Sequence, residues 1–102
     1  MLAGDGITHD GKTIRRADYV LYFKPGIPIA VVEAKDNRHS VRDGIQQARA
    51  YAEMLDVPFA FSSNGDGFLW HDKTASDGVI EREIGLDEFP SPDQLWQRYL
   101  AW

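Results

Sequence analysis

No cysteine occurs in the 102 residues. That excludes disulfides and thiolate metal centres and fits a reducing compartment. No apolar run is long enough to cross a bilayer, and no secretory signal pattern opens the chain. Internal repeats and low-complexity tracts are absent as well. Basic residues are in deficit: 11 Lys and Arg stand against 16 Asp and Glu, a formal net charge of −5. A nucleic-acid wrap over the whole surface is therefore excluded, while a local basic patch is not.

What is present suits one soluble globular domain spanning 1–102. Hydrophobic residues make up 43% of the chain, enough for a small core. Residues 1–13, "MLAGDGITHDGKT", are Gly-rich and polar and read as an irregular lead-in. "ADYVLYF" (17–23) and "PIAVVEAK" (28–35) read as strands, joined by Pro25-Gly26, a pair suited to a type II turn. Residues 40–55 read as a helix with Ser40 as N-cap; Val41, Ile45, Ala48, Ala52 and Leu55 form its apolar stripe. "VPFAFSS" (57–63) and "FLWHD" (68–72) read as strands around an "NGDG" turn, and "VIEREI" reads as a last strand. The chain closes on a helix capped by Ser91, with Pro92 in its first turn. Strand, helix, strand at residues 28–63 has the length of a parallel crossover. The expected class is α/β, a mixed sheet flanked by helices.

Residues 6–13, "GITHDGKT", match the phosphate-loop pattern G-x-x-x-x-G-K-[ST]. That pattern works only between a buried strand and a helix N-terminus. "MLAGD" before it makes no buried strand, and "IRRADYVLYF" after it is a strand pattern. The residues read instead as a turn with a solvated lysine.

Asp18, Glu33 and Lys35 form a stronger group. Strand parity puts Glu33 and Lys35 on one face with Ile29 and Val31. With Pro25-Gly26 as a two-residue turn, facing positions sum to 51, so Asp18 lies opposite Glu33 with Cβ atoms roughly 5 Å apart. Two carboxylates so close repel unless a cation lies between them. Mg²⁺ suits such a pair, since it takes hard oxygen ligands and keeps water and phosphate in its shell. Lys35 then stands beside that water and balances charge on a phosphate. Acidic and basic residues on strands are commonly solvated ion pairs worth little. This pair differs in ending the most apolar strand of the chain. Gln47 and Tyr51, spaced i, i+4, share a helix face beside the apolar stripe and close to that strand's end. His9, His39 and His71 are too widely spaced for a zinc site. Trp70, Trp96 and Trp102 read as core or contact residues rather than base-stacking platforms.

Asp on one hairpin strand, then "EAK" ending the next, is similar to the PD-(D/E)xK nuclease core. More narrowly, "RRADYVLYF–KPGIPIAVVEAK" with "QQARAYAEMLDVPFAFSSNGDGFLWHD" resembles the N-terminal endonuclease domain of the restriction (R) subunit of type I restriction–modification enzymes. The resemblance covers about residues 11–72, and the family's Q-x-x-x-Y motif is matched by Gln47 and Tyr51. It implies a type I site-specific deoxyribonuclease acting on double-stranded DNA with Mg²⁺, or Mn²⁺ as substitute. Asp18 and Glu33 are then metal ligands, with the Ala34 carbonyl a candidate third; Lys35 acts on the attacking water, and Gln47 and Tyr51 orient that water or the phosphate, or hold the helix against the site. Arg15, Arg16, Lys24, Arg38 and Arg42 are candidate contacts to the DNA backbone. The resemblance further implies methylation and specificity subunits as partners, a prokaryotic cytoplasmic setting, and ATP bound only by motor domains elsewhere in the parent subunit. Two departures stand out. Ala17 occupies a position where the superfamily often has proline, and the family's first acidic helix is expected upstream of this chain, which then reads as a domain truncated at its N-terminus. The alternative expectation is a non-catalytic docking or DNA-positioning domain that keeps the nuclease fold.

Overall fold

The central feature of the computed structural model is a hairpin of β2 (Ile14–Lys24) and β3 (Ile27–Ala34). Residues 2–9, 14–36 and 38–102 are described, residues 2–9 and 14–17 by their backbone alone. Pro25 and Gly26 make the turn, and Gly26 has φ +82°, the left-handed value that a type II turn requires there. Lys24 pairs with Ile27, and Tyr19, Val20 and Leu21 face Val32, Val31 and Ala30. Those pairs keep the sum of 51 that the two-residue turn predicts. Between them the ladder slips twice, at Leu21/Tyr22 and at Tyr22/Lys24. One slip adds a residue on β3 and the other adds one on β2, so they cancel before the strand ends.

The slips correct one expectation. Ile29 does not share a face with Val31. It is buried with Ala30, Val32, Phe59, Phe61, Trp70 and Leu95, whereas Val31 is buried with Val20, Ala48, Ala60 and Leu69. An extra residue in a ladder breaks the two-residue alternation locally, and Ile29 sits at that break.

β1 (Leu2–His9) runs antiparallel to β2. This overturns the irregular lead-in expected for residues 1–13 where the chain is described, at residues 2–9; residue 1 and residues 10–13 lie outside the described residues. Its Gly-rich sequence has little strand propensity of its own, and pairing along the eleven-residue β2 overrides that. Gly6 to His9 therefore lie within a strand, and residues 10–13 of the phosphate-loop pattern fall outside the described residues. The next described element is strand β2 rather than a helix, so the context that pattern needs is not met.

β3 leads through α1 (Ile45–Leu55) to β4 (Phe59–Ser63), which pairs parallel to β3. β5 (Gly67–Asp72) and β6 (Glu81–Gly85) follow as antiparallel neighbours. The described residues thus form one six-stranded mixed sheet in sequential order, with β3/β4 its parallel pair. α1 covers one face through Ile45, Ala48 and Ala52. α2 (Pro92–Ala101) covers the other through Leu95, with Trp96 stacked on Phe23 at 4.2 Å. Ser91 caps α2 as expected, its hydroxyl accepting the Gln94 N–H.

The start of α1 differs from expectation. Residues 41–44 form turns, and Gly44, not Ser40, precedes the first helical residue. Ser40 instead donates its hydroxyl to Asp43 and accepts the Arg42 N–H, closing a local turn. Gly44 is pinned against β3 and β4, which fixes where the helix begins.

Candidate active site

The middle of β2 and the end of β3 bring Asp18 and Glu33 together. The Asp18 N–H donates to Glu33 Oε1 at 3.2 Å, and the Ala34 N–H donates to Asp18 Oδ2 at 2.8 Å. Each carboxylate is thereby oriented by the backbone of the opposite strand. Glu33 is only 4% exposed, while Asp18 is open to solvent. Burial pushes the Glu33 carboxyl up to about 7, and the neighbouring Asp18 charge pushes the same way. Lys35 acts in the opposite direction but is a lesser influence.

Lys35 extends the β3–β4 ladder by one bond, its N–H donating to Ser63 O at 2.8 Å. Successive peptide groups of a strand face opposite sides, so the N–H and C=O of Ala34 are turned toward β2 and Asp18. The Lys35 side chain reaches the α1 side of the sheet and donates from Nζ to Gln47 Oε1 at 3.2 Å. Two groups far apart in the chain are thus joined by a hydrogen bond. Tyr51 lies one turn beyond Gln47, half-buried against the apolar cluster beneath α1. Among the described residues no hydrogen bond ties it to Asp18, Glu33, Lys35 or Gln47.

The five candidate DNA contacts are dispersed. Arg38 is held by Asp36 at 2.6 Å, and Arg42 lies 3.4 Å from Glu83. Lys24 sits at the turn end of the hairpin, six residues from Asp18 along β2, or roughly 20 Å. Arg15 and Arg16 lie on β2, upstream of Asp18, and their side chains fall outside the described residues.

Two residues at the site were not singled out from sequence. Ser62 is the register partner of Glu33 across β3/β4, and Gly44 packs against both. The one signal was a glycine interrupting an otherwise helical pattern.

Residues 6–78 match the family model of the type I restriction enzyme R protein N terminus. This chain belongs to that family. It is 54% identical over 92 residues to the type I restriction enzyme EcoAI endonuclease subunit of Escherichia coli. The match takes in 89% of this chain and 11% of that subunit. A solved fragment assigned to the HsdR subunit of a type I restriction enzyme from Vibrio vulnificus YJ016 is 41% identical, with a TM-score of 0.72 over 90% of this chain and 18% of that one. The chain thus spans about a tenth of the length of the curated relative it matches. Asp18, Glu33, Lys35, Gln47 and Tyr51 all lie inside the matched region.

Proposed function

We propose that this chain is the endonuclease domain of a type I restriction enzyme R subunit, and that it hydrolyses DNA phosphodiester bonds with Mg²⁺ held by Asp18 and Glu33. The observation that carries this reading is the carboxylate pair interlocked through Asp18 N and Ala34 N, with the Lys35 ammonium on the same side of the sheet.

The donor chemistry fits magnesium. Among the described residues no group of three or more His, Cys, Asp or Glu is arranged to hold a metal. Two carboxylates and the Ala34 carbonyl are what remain, all hard oxygens of the kind Mg²⁺ takes, and they would hold the ion while leaving it open to water and phosphate. Glu33 is also held up near 7 by burial and by Asp18, a repulsion that a cation between them relieves. When bound, Mg²⁺ supplies Lewis-acid polarisation of the phosphate and an acidified water.

The chain's own groups do the rest. Lys35 offers a positive charge where negative charge builds on the phosphate. Gln47 fixes the Lys35 side chain, so the ammonium enters the reaction already oriented. Tyr51 holds α1 against the sheet from the same helix face. Arg15, Arg16, Lys24, Arg38 and Arg42 are proposed backbone contacts to double-stranded DNA. Arg38 and Arg42 would exchange Asp36 and Glu83 for phosphates. With a net charge of −5, unaided binding is weak, so methylation and specificity subunits are proposed to deliver the DNA in the cytoplasm of a prokaryote.

Calorimetric titration of Mn²⁺ into the chain, beside Asp18→Ala and Glu33→Ala, tests the metal site. Binding that vanishes in both variants, with their circular dichroism unchanged, supports the reading. In the full R subunit the same substitutions should abolish DNA cleavage and spare ATP hydrolysis. A subunit that still cleaves after both changes defeats the proposal and leaves a docking domain that keeps the fold.

A further inference from the structure

We propose that Gly44 and Ser62 are positioning residues for the Glu33–Lys35 site: the Ser62 hydroxyl receives the Gly44 N–H, and the bare Gly44 Cα lets α1 begin directly against Glu33, which sets Gln47 at the height of Lys35. The inference rests on the nuclease reading for its consequence and on packing for its geometry.

Ser62 is fully buried near the end of β4, on the face covered by α1. A buried hydroxyl costs free energy unless it is bonded, and a small apolar residue would fill the position without that cost. Ser62 Oγ accepts the Gly44 N–H at 3.1 Å, which satisfies a donor at the start of a helix whose own N-cap residue has no side chain. The cap for α1 thus comes from the strand that pairs with Glu33.

The need for glycine is steric. Gly44 has φ −94°, a conformation open to any residue. A Cβ there would lie 2.9 Å from Ser62 Oγ and 3.1 Å from Glu33 Cβ. Both neighbours belong to packed strands, so α1 itself would have to move outward. Gln47 lies three residues into the helix from that fixed point, about 4.5 Å along its axis. Lys35 lies two residues beyond Glu33, about 6.6 Å along the strand. The Lys35–Gln47 bond at 3.2 Å closes the figure. A shift of α1 by about 1 Å carries that bond beyond hydrogen-bonding distance. Gly44 and Ser62 touch neither phosphate nor metal in this arrangement; they act through Glu33 and Gln47.

The test compares Ser62→Ala, Gly44→Ala and their double variant with Val57→Ala, a cavity in the same cluster at the far end of α1. Stability is read by urea, Mn²⁺ affinity by calorimetry, and the Lys35–Gln47 contact by the NMR signal of the Gln47 side-chain amide. Ser62→Ala should move the amide signal and weaken Mn²⁺ binding by about tenfold or more, the usual effect of losing a group that orients a ligand. Val57→Ala should lower stability while leaving the amide signal in place and affinity within about twofold. The double variant should recover part of the loss in Gly44→Ala, because removing Oγ removes the closest overlap. If Ser62→Ala and Val57→Ala behave alike in amide signal and affinity, the two residues are merely structural and the inference fails. If the unaltered chain takes up no Mn²⁺, the metal reading fails separately, and the amide signal alone decides: displaced only in the Gly44 and Ser62 variants, it upholds the positioning role, and unmoved, it ends it.

Discussion

Asp18 and Glu33 each carry a hydrogen bond across the β2–β3 hairpin, Asp18 N–H to Glu33 Oε1 at 3.2 Å and Ala34 N–H to Asp18 Oδ2 at 2.8 Å. The backbone holds two acids together that would separate in water. That geometry has a cost which depends on pH. The folded Glu33 carboxyl titrates near 7 instead of 4.5. As pH rises from 4.5 to 7, the unfolded chain loses this proton while the folded chain keeps it. The folded state then binds more protons, so stability falls across that window and is flat above it. The loss is on the order of 1–3 kcal/mol. Glu33→Gln removes it. Urea midpoints at pH 5 and pH 8 should therefore differ more for the unaltered chain than for Glu33→Gln, and equal differences would refute the raised carboxyl.

The same proton competes with a cation. Below 7, Mn²⁺ must displace it, so affinity should rise about tenfold per pH unit up to that point and level off above. Asp18→Asn removes a carboxylate charge that raises Glu33, and its Glu33 should titrate lower. Calorimetry at pH 6, 7 and 8 with carboxyl NMR of the variant checks both statements. Mn²⁺ affinity that is flat from pH 6 to 8 would contradict the first.

The sequence made the hairpin legible because its signals are local. Pro25-Gly26 specifies the turn, the turn specifies the register, and the register places Asp18 beside Glu33. The inference survived two ladder slips only because they offset each other, and no residue type around Ile29 announces them. β1 was not legible, since "LAGDGITH" becomes a strand through its partner and not through its own propensity. The start of α1 was misplaced for a related reason: Ser40 is a good local cap, but the helix begins where Gly44 meets Glu33 and Ser62, a contact made across 11 and 18 residues of chain. The resemblance named Lys35 and Gln47 separately, and only the fold joins them by a hydrogen bond.

That bond predicts a split between stability and activity. Lys35 is half-buried and Gln47 exposed, so breaking the contact should cost less than about 1 kcal/mol of stability. In the full subunit Lys35→Met should abolish cleavage, whereas Gln47→Ala should leave a reduced rate, because the ammonium remains but loses its orientation. Urea unfolding of the chain and DNA cleavage by the subunit give the two readouts. Equal cleavage by Gln47→Ala and the unaltered subunit would remove Gln47 from the mechanism.

On the opposite face of the sheet, stability and the site part company. Asp72 has a side chain only 2% exposed at the end of β5, and its Oδ2 receives Arg98 Nη1 from α2 at 2.8 Å. Its Oδ1 accepts both the N–H and the hydroxyl of Thr74. Arg98 also lies over the Trp70 ring at 5.2 Å, so one guanidinium ties α2 to a buried carboxylate and an aromatic face together. Asp72→Ala leaves three donors unpaired beside the sheet and should cost about 3 kcal/mol. Arg98→Ala should cost less, since Asp72 keeps its bonds to Thr74. Because α2 covers the face away from Glu33 and Lys35, neither change should alter Mn²⁺ affinity at temperatures where the fold is intact. Thermal unfolding followed by tryptophan fluorescence, with calorimetry beside it, measures both. A loss of Mn²⁺ binding in folded Asp72→Ala would mean that the two faces of the sheet are coupled, contrary to the separation of their cores.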